Sequence, residues 1–174
     1  MLISFDLATN TGIAFGDVSG KPSGRSESLG DMGVHHGARF SQALRMATNI
    51  IIELQPRWIA IEEPIAGGVK GDENRLKVLM GLRACIYGVA HMRKVPVYEY
   101  AVPTVRKHFI GQGNLTSAKA KDAVQRRCAR LGWIAANHNE ADAMAVWDYA
   151  RSRLARVASP TPNGLFDYAG PAGN

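Results

Sequence analysis

The apolar rhythm of the chain changes along its length, and the order of those changes constrains the fold. Met1 to Leu7 reads as a buried strand and Gly12 to Val18 as a second. Arg25 to Val34 reads as a third, after the turn-forming Ser19-Gly20-Lys21-Pro22-Ser23-Gly24. Three short strands joined in succession make an antiparallel meander. From Ala38 to Leu54 the period becomes helical, with Phe40, Ala43, Leu44, Ala47, Ile50, Ile51 and Leu54 on one stripe and Pro56 as a stop. Trp58 to Ile61 returns to a strand that delivers Glu62 at its carboxyl end.

A Gly-rich link over 66–71 precedes a second helix from Glu73 to Met92, striped by Leu76, Leu79, Met80, Leu82, Ile86 and Val89. Val95 to Tyr98 is the next strand, and Pro103 to Phe109 is a short helix with Pro at its start. Ser117 to Leu131 is a basic helix, and the last helix runs from Glu140 to Val157. A meander followed by strands alternating with helices implies a mixed α/β sheet covered by helices. At 174 residues and 46% hydrophobic, the chain suits one domain, over 1–158. The stretch 159–174, with three Pro and three Gly and no period, is expected to be an irregular tail.

Charge narrows the class of partner. The net charge of +6 and pI near 9.6 favour polyanions, and the excess is local: nine Lys and Arg face two acids between Arg93 and Arg130. Cys85 and Cys128 lack any metal-type spacing and read as small buried hydrophobes. With no apolar run long enough to span a bilayer and no leader-like start, a soluble, cytoplasmic protein is expected.

Three carboxylates stand where such elements end: Asp6 after Ile3-Ser4-Phe5, Glu62 after Trp58-Ile59-Ala60-Ile61, and Asp142 in His138-Asn139-Glu140-Ala141-Asp142. Hard cations such as Mg²⁺ take oxygen ligands, and a pair of them stabilises both the attacking and leaving oxygens of a phosphodiester. Each acid alone has a plainer reading: a turn carboxylate at Asp6, solvated neighbours at Glu62 and Glu63, helix capping by Asn139, Glu140 and Asp142. Glu62 and Glu63 point to opposite faces of a strand, and alternation by itself does not say which one joins a site.

Taken together, Asp6-Leu7-Ala8-Thr9-Asn10-Thr11-Gly12, Ala60-Ile61-Glu62 and Glu140-Ala141-Asp142-Ala143-Met144-Ala145 resemble the RuvC-type Holliday-junction resolvases of the ribonuclease H-like superfamily. Asn74 to Ala84 is similar to that family's long helix, and Val95 to Tyr100 with Val105 to Gly113 to its next strand and basic approach to DNA. The resemblance implies a ribonuclease H-like fold with a mixed five-stranded sheet. It also implies a homodimer formed through the helix at 73–92, and Mg²⁺-dependent cutting of four-way DNA junctions with two ions per site, Mn²⁺ substituting. By motif position Asp6, Glu62 and Asp142 are catalytic metal ligands. The fourth ligand falls at Asn139; Glu140 is preferred because it retains negative charge, with His138 or Asn139 as the alternative. Arg106, Lys107, Gln112, Lys119 and Lys121 are the DNA-contact candidates around Gly111-Gln112-Gly113, while Arg126, Arg127 and Arg130 read equally well as soluble surface.

The compact length and altered fourth position fit a phage or mobile-element version. Two other readings stay open: a broader nuclease of branched DNA or RNA-DNA hybrids, and a non-catalytic nucleic-acid-binding member of the fold.

Overall fold

The computed structural model describes residues 1–31, 33–63 and 73–158. Five strands, β1 (Leu2–Asp6), β2 (Asn10–Gly16), β3 (Ser23–Ser28), β4 (Trp58–Glu63) and β5 (Val97–Ala101), form one sheet in the order β3-β2-β1-β4-β5. The first three pair antiparallel and the last two join in parallel, giving one mixed five-stranded sheet. The helices are α1 (His36–Leu54), α2 (Glu73–Met92), α3 (Val102–Ile110), α4 (Ser117–Arg130) and α5 (His138–Ala158).

Strand alternation divides the core between the two faces of the sheet. Ile3, Phe5, Ile13, Ile59 and Ile61 pack under α1 and α2, where Ile50, Leu82, Ile86 and Val89 meet them. Leu2, Ala14, Trp58 and Ala60 face α3, α4 and α5. The small residues on this second face let α5 lie close to the strands. Two buried hydrogen bonds fix it there: Ser4 Oγ donates to the carbonyl of Ala143 at 2.7 Å, and Trp147 Nε1 donates to the carbonyl of Leu2 at 3.2 Å. Each satisfies a polar group that would be costly to leave unpaired in this core.

The third strand stops at Ser28, short of the expected Val34, because Gly30 and Gly33 take positive φ of 112° and 86° and turn the chain toward α1. The last helix starts at His138, two residues earlier than expected. The two glycines within α2, Gly81 and Gly88, do different things. A Cβ on Gly81 would sit 2.1 Å from the Phe40 ring of α1, whereas one on Gly88 would meet nothing within 4 Å. The expected Gly-rich link at 66–71 and the tail at 159–174 lie outside the described residues. Among those residues no helix is long and apolar enough to cross a membrane.

Candidate active site

Asp6 and Glu62 end neighbouring parallel strands. Phe5 stands opposite Ile61, so the next residues on each strand, Asp6 and Glu62, continue side by side. Both have the alternation of Ser4 and Ala60, which places them toward α5. That register sets the adjacent acids apart: Glu62 shares the alternation of Asp6 on the α5 side and Glu63 takes the opposite one, although both line the same wide cleft. Asp142, in the second turn of α5, completes the group. Asp6, Glu62, Asn139 and Asp142 all line one open cleft of about 970 Å³.

The close approach of α5 depends on Gly12. It pairs with Asp6 across β1 and β2, and a Cβ at its position would lie 1.9 Å from the carbonyl oxygen of Asn139 and 3.0 Å from the amide nitrogen of Glu140. The space beside Gly12 is taken by the protein's own helix start.

Burial is the main cause of the electrostatics in this cleft. It pushes the Asp6 carboxyl up to about 7, with the charge of Asp142 adding to the rise and Lys121 and Arg106 opposing it. Burial likewise pushes Glu62 up to about 8, helped by Asp6 and Asp142 and opposed by Arg106. Asp142 is raised by burial, against the pull of Arg106, Lys121 and His138. Like charges in a desolvated site cannot all ionise without a counter-charge.

Among the described residues no three acidic, His or Cys side chains are drawn together tightly enough to enclose an ion. The donor set fits a hard divalent cation even so: three carboxylates and the Asn139 amide offer oxygen ligands, and the raised carboxylates are those a cation would return to the charged form.

Glu140, preferred from sequence as the fourth ligand, is turned away. Its Oε2 accepts from the Ala136 amide at 2.8 Å, and its Oε1 accepts from Ser26 Oγ and Asn137 Nδ2, both at 3.1 Å. In return Asn137 Oδ1 accepts from the Glu140 amide at 3.0 Å. The arrangement resembles a capping box with Asn137 as N-cap and Glu140 three residues on, the carboxylate taking the amide of Ala136 rather than that of Asn137, and it is tied to β3 through Ser26. The N-cap is therefore Asn137 rather than Asn139. His138 is half-buried with Nδ1 unpartnered, and does not line the cleft; of the three alternatives, Asn139 does.

Glu140→Gln is expected to weaken the cap by about 1 kcal/mol while cutting stays within about threefold of wild type. Thermal melts and a cleavage assay check this. A folded Glu140→Gln protein with cutting reduced a hundredfold would return Glu140 to the ligand set.

Of the DNA-contact candidates, Arg106 from α3 and Lys121 from α4 line the cleft. Lys107, Gln112 and Lys119 are exposed and lie outside its lining. Sequence reasoning missed Arg39, Arg75 and Arg83, which line it from the α1 and α2 side. Arg39 is also structural, donating through Nη2 to the carbonyl of Asp31 at 2.9 Å.

The architecture is shared with solved structures. Thermus thermophilus RuvC superposes with a TM-score of 0.65 at 18% identity, over 88% of this chain and 96% of that one. The chain has a RuvC-like fold. RuvC from the same organism in complex with Holliday junction substrate gives a TM-score of 0.64 at 17% identity, covering 88% of this chain and 97% of the other. The yeast mitochondrial Holliday junction resolvase Ydc2 gives 0.56 at 12% identity, over 89% and 80% of the two chains.

In sequence the chain is similar to the crossover junction endodeoxyribonuclease RuvC of Chlorobium phaeovibrioides, with 33% identity over 111 residues. The match takes in 62% of this chain and 56% of that RuvC, so the chain spans little more than half the length of the relative. No protein-family model matches.

Proposed function

We propose that the protein is a divalent-cation-dependent endonuclease that resolves four-way DNA junctions as a homodimer. The observation that supports this reading most is the meeting of Asp6, Glu62 and Asp142 with Arg106 and Lys121 in one cleft of a RuvC-like fold. Three acids alone would repel a nucleic acid, and two cations alone would bind one without cutting. Their combination suits the chemistry of a phosphodiester.

Asp6, Glu62 and Asp142 would hold the cations, with the Asn139 carbonyl as a neutral further donor. When bound, paired Mg²⁺ ions, or Mn²⁺ in their place, supply an activated water and charge stabilisation for the leaving oxygen of an in-line displacement, leaving 5′-phosphate and 3′-hydroxyl ends. Arg106 and Lys121 hold the scissile strand by its phosphates and partly offset the acidic charge as the strand enters. The strand end at Glu62 and the helix start at Asp142 keep the acids in place, so little reorganisation is left for the moment of reaction.

The homodimer is supported by α2. Leu76, Met80 and Met92 are 46%, 49% and 72% exposed, and with Ala84 and Gly88 they form an apolar ridge at four-residue spacing. A second copy packed on this ridge would present two equivalent clefts to two strands related by near two-fold symmetry.

The deciding experiment offers four-way junction, flap, duplex and RNA-DNA hybrid substrates in Mg²⁺. Paired nicks on the junction at rates well above the others are expected. Comparable cutting of flaps or hybrids would favour the broader nuclease. Binding without any cutting would favour a non-catalytic member, a reading to which the neutral Asn139 in the cleft lends support.

Replacing Lys121 by Ala should weaken junction binding for all sequences alike. It should also reduce the log–log salt slope by about one unit, measured by fluorescence anisotropy across salt concentrations. A slope unaltered by Lys121→Ala would take the strand path away from this wall.

A further inference from the structure

Arg83 is a buried cation that the phosphodiester chemistry above does not use. It sits on α2, 7% exposed, where an isolated guanidinium would be strongly unfavourable. Its Nη1 donates to the main-chain carbonyl of Glu62 at 2.5 Å, and its Nη2 pairs with the carboxylate of Glu99 on the edge strand β5. Glu99 Oε1 in turn accepts from the hydroxyl of Tyr87, one turn further along α2, at 2.5 Å.

The three side chains form a bridge from the outer face of α2 to the end of β4. Arg83 is its inner end. Tyr87, 38% exposed, is its outer end, and helical spacing puts it between Met80, Ala84 and His91 on the exposed ridge.

The carbonyl that Arg83 holds belongs to an acid of the cleft, and Glu62 is the next-to-last residue of its strand. On the β1 side the paired register runs from Leu2 opposite Trp58 to Phe5 opposite Ile61 and stops one residue before Glu62, so strand pairing on that side restrains Glu62 less than the residues before it. A planar guanidinium can hold a carbonyl and a carboxylate at once with fixed geometry, which an ammonium cannot. Glu99 fixes the guanidinium, and Tyr87 fixes Glu99.

We propose that Arg83 is a positioning residue for Glu62, and that the Tyr87–Glu99 pair extends this restraint to the α2 face on which a second copy docks. The inference rests on the cation-dependent reading of the cleft. Covering the ridge would remove water from around the Tyr87–Glu99 hydrogen bond and strengthen it, so the paired protein holds Glu62 more firmly than the single chain.

The test uses the full-length chain and Mn²⁺ as the probe. Binding of Mn²⁺ is measured by calorimetry for wild type, Arg83→Lys and Tyr87→Phe, with sedimentation and melting curves run alongside. Arg83→Lys is expected to weaken Mn²⁺ binding about tenfold, as losses among partners behind a metal ligand commonly do. It should also raise the Mn²⁺ concentration for half-maximal cutting by a larger factor than it lowers the rate at saturating Mn²⁺.

Tyr87→Phe removes one hydroxyl and leaves the buried pair in place. It is expected to weaken Mn²⁺ binding about threefold and to speed hydrogen exchange of the amides at the end of β4. Arg83→Lys or Tyr87→Phe proteins that bind Mn²⁺ as wild type does overturn the positioning role alone. Wild type that binds no Mn²⁺ overturns the metal site and this role with it. Should Arg83→Lys fail to fold, the Tyr87→Phe result decides.

Discussion

Asp6→Asn is expected to reduce cutting by roughly three orders of magnitude and, in the same protein, to raise stability at pH 8 without divalent cation. The first effect follows from losing a charged ligand that would stabilise transition-state charge by several kcal/mol. The second follows from the buried position of Asp6. Its carboxyl is pushed from 3.8 to about 7, burial first and Asp142 second, so the folded protein keeps a proton that the unfolded chain has released. The folded state's preference for the neutral acid therefore contributes fully below about 4. It is lost as the pH rises toward 7, and above that the folded protein carries the whole penalty of a buried charge.

A shift of this size corresponds to a few kcal/mol, on the order of 4, or about 10 to 15 °C in melting temperature for a chain of this length. Asn imitates the neutral acid in shape. Cation-free melts of wild type and Asp6→Asn should nearly coincide at pH 4 and diverge progressively toward pH 8, with the variant higher. Glu62 benefits too, because the Asp6 charge is one of the causes of its own rise to about 8. A wild-type melting temperature that stays level from pH 4 to pH 8 would contradict the buried-acid picture, and an Asp6→Asn protein that still cuts would remove Asp6 from the catalysis. The combination, less activity with more stability, is what a site kept under electrostatic strain for function predicts.

The parts of the fold that rest on local rhythm were readable. The second helix begins and ends where its apolar stripe suggests, and the meander precedes the parallel strands as the order of periods requires. The third strand was overextended because Leu29 and Val34 look strand-like, although Gly30 and Gly33 between them mark the turn that intervenes.

At the site, Asp6, Glu62 and Asp142 could be found because each closes or opens an element. Strand alternation alone did not separate Glu62 from Glu63; the motif resemblance pointed to Glu62, and the register of β1 with β4 puts it beside Asp6. The small residues Ser4, Ala14 and Ala60 hinted at which face a helix would approach. The role of Glu140 was also written locally, in the Asn137-x-x-Glu140 spacing; capping was read from the sequence, but with Asn139 as the N-cap, and charge was weighed ahead of it. Arg83 carries no such local signal. Its partners come from β4 and β5, and only the tertiary path of α2 brings it to Glu62.

Gly12→Ala tests the link between fold and site at its tightest point. The added Cβ would fall 1.9 Å from the Asn139 carbonyl oxygen and 2.3 Å from its carbon, both main-chain atoms that no rotamer change can move aside. β2 cannot easily yield, since Gly12 is paired to Asp6 on one side and Ser26 on the other. The body of α5 is fastened to β1 through Ser4 and Trp147. The displacement must therefore fall on the helix entry, on Asn139 and the capping box, and carry Asp142 away from Asp6.

Forced overpacking of this kind typically costs 1 to 3 kcal/mol, and here, with backbone on both sides, about 3 is expected. A shift of about 1 Å in one acid is enough to reduce cutting about a hundredfold. The protein should melt several degrees lower and, at a temperature where it remains folded, cut poorly even at high Mn²⁺. A Gly12→Ala protein with wild-type melting and cutting would mean that the start of α5 stands further from β2, and that Asp142 reaches Asp6 by some other route.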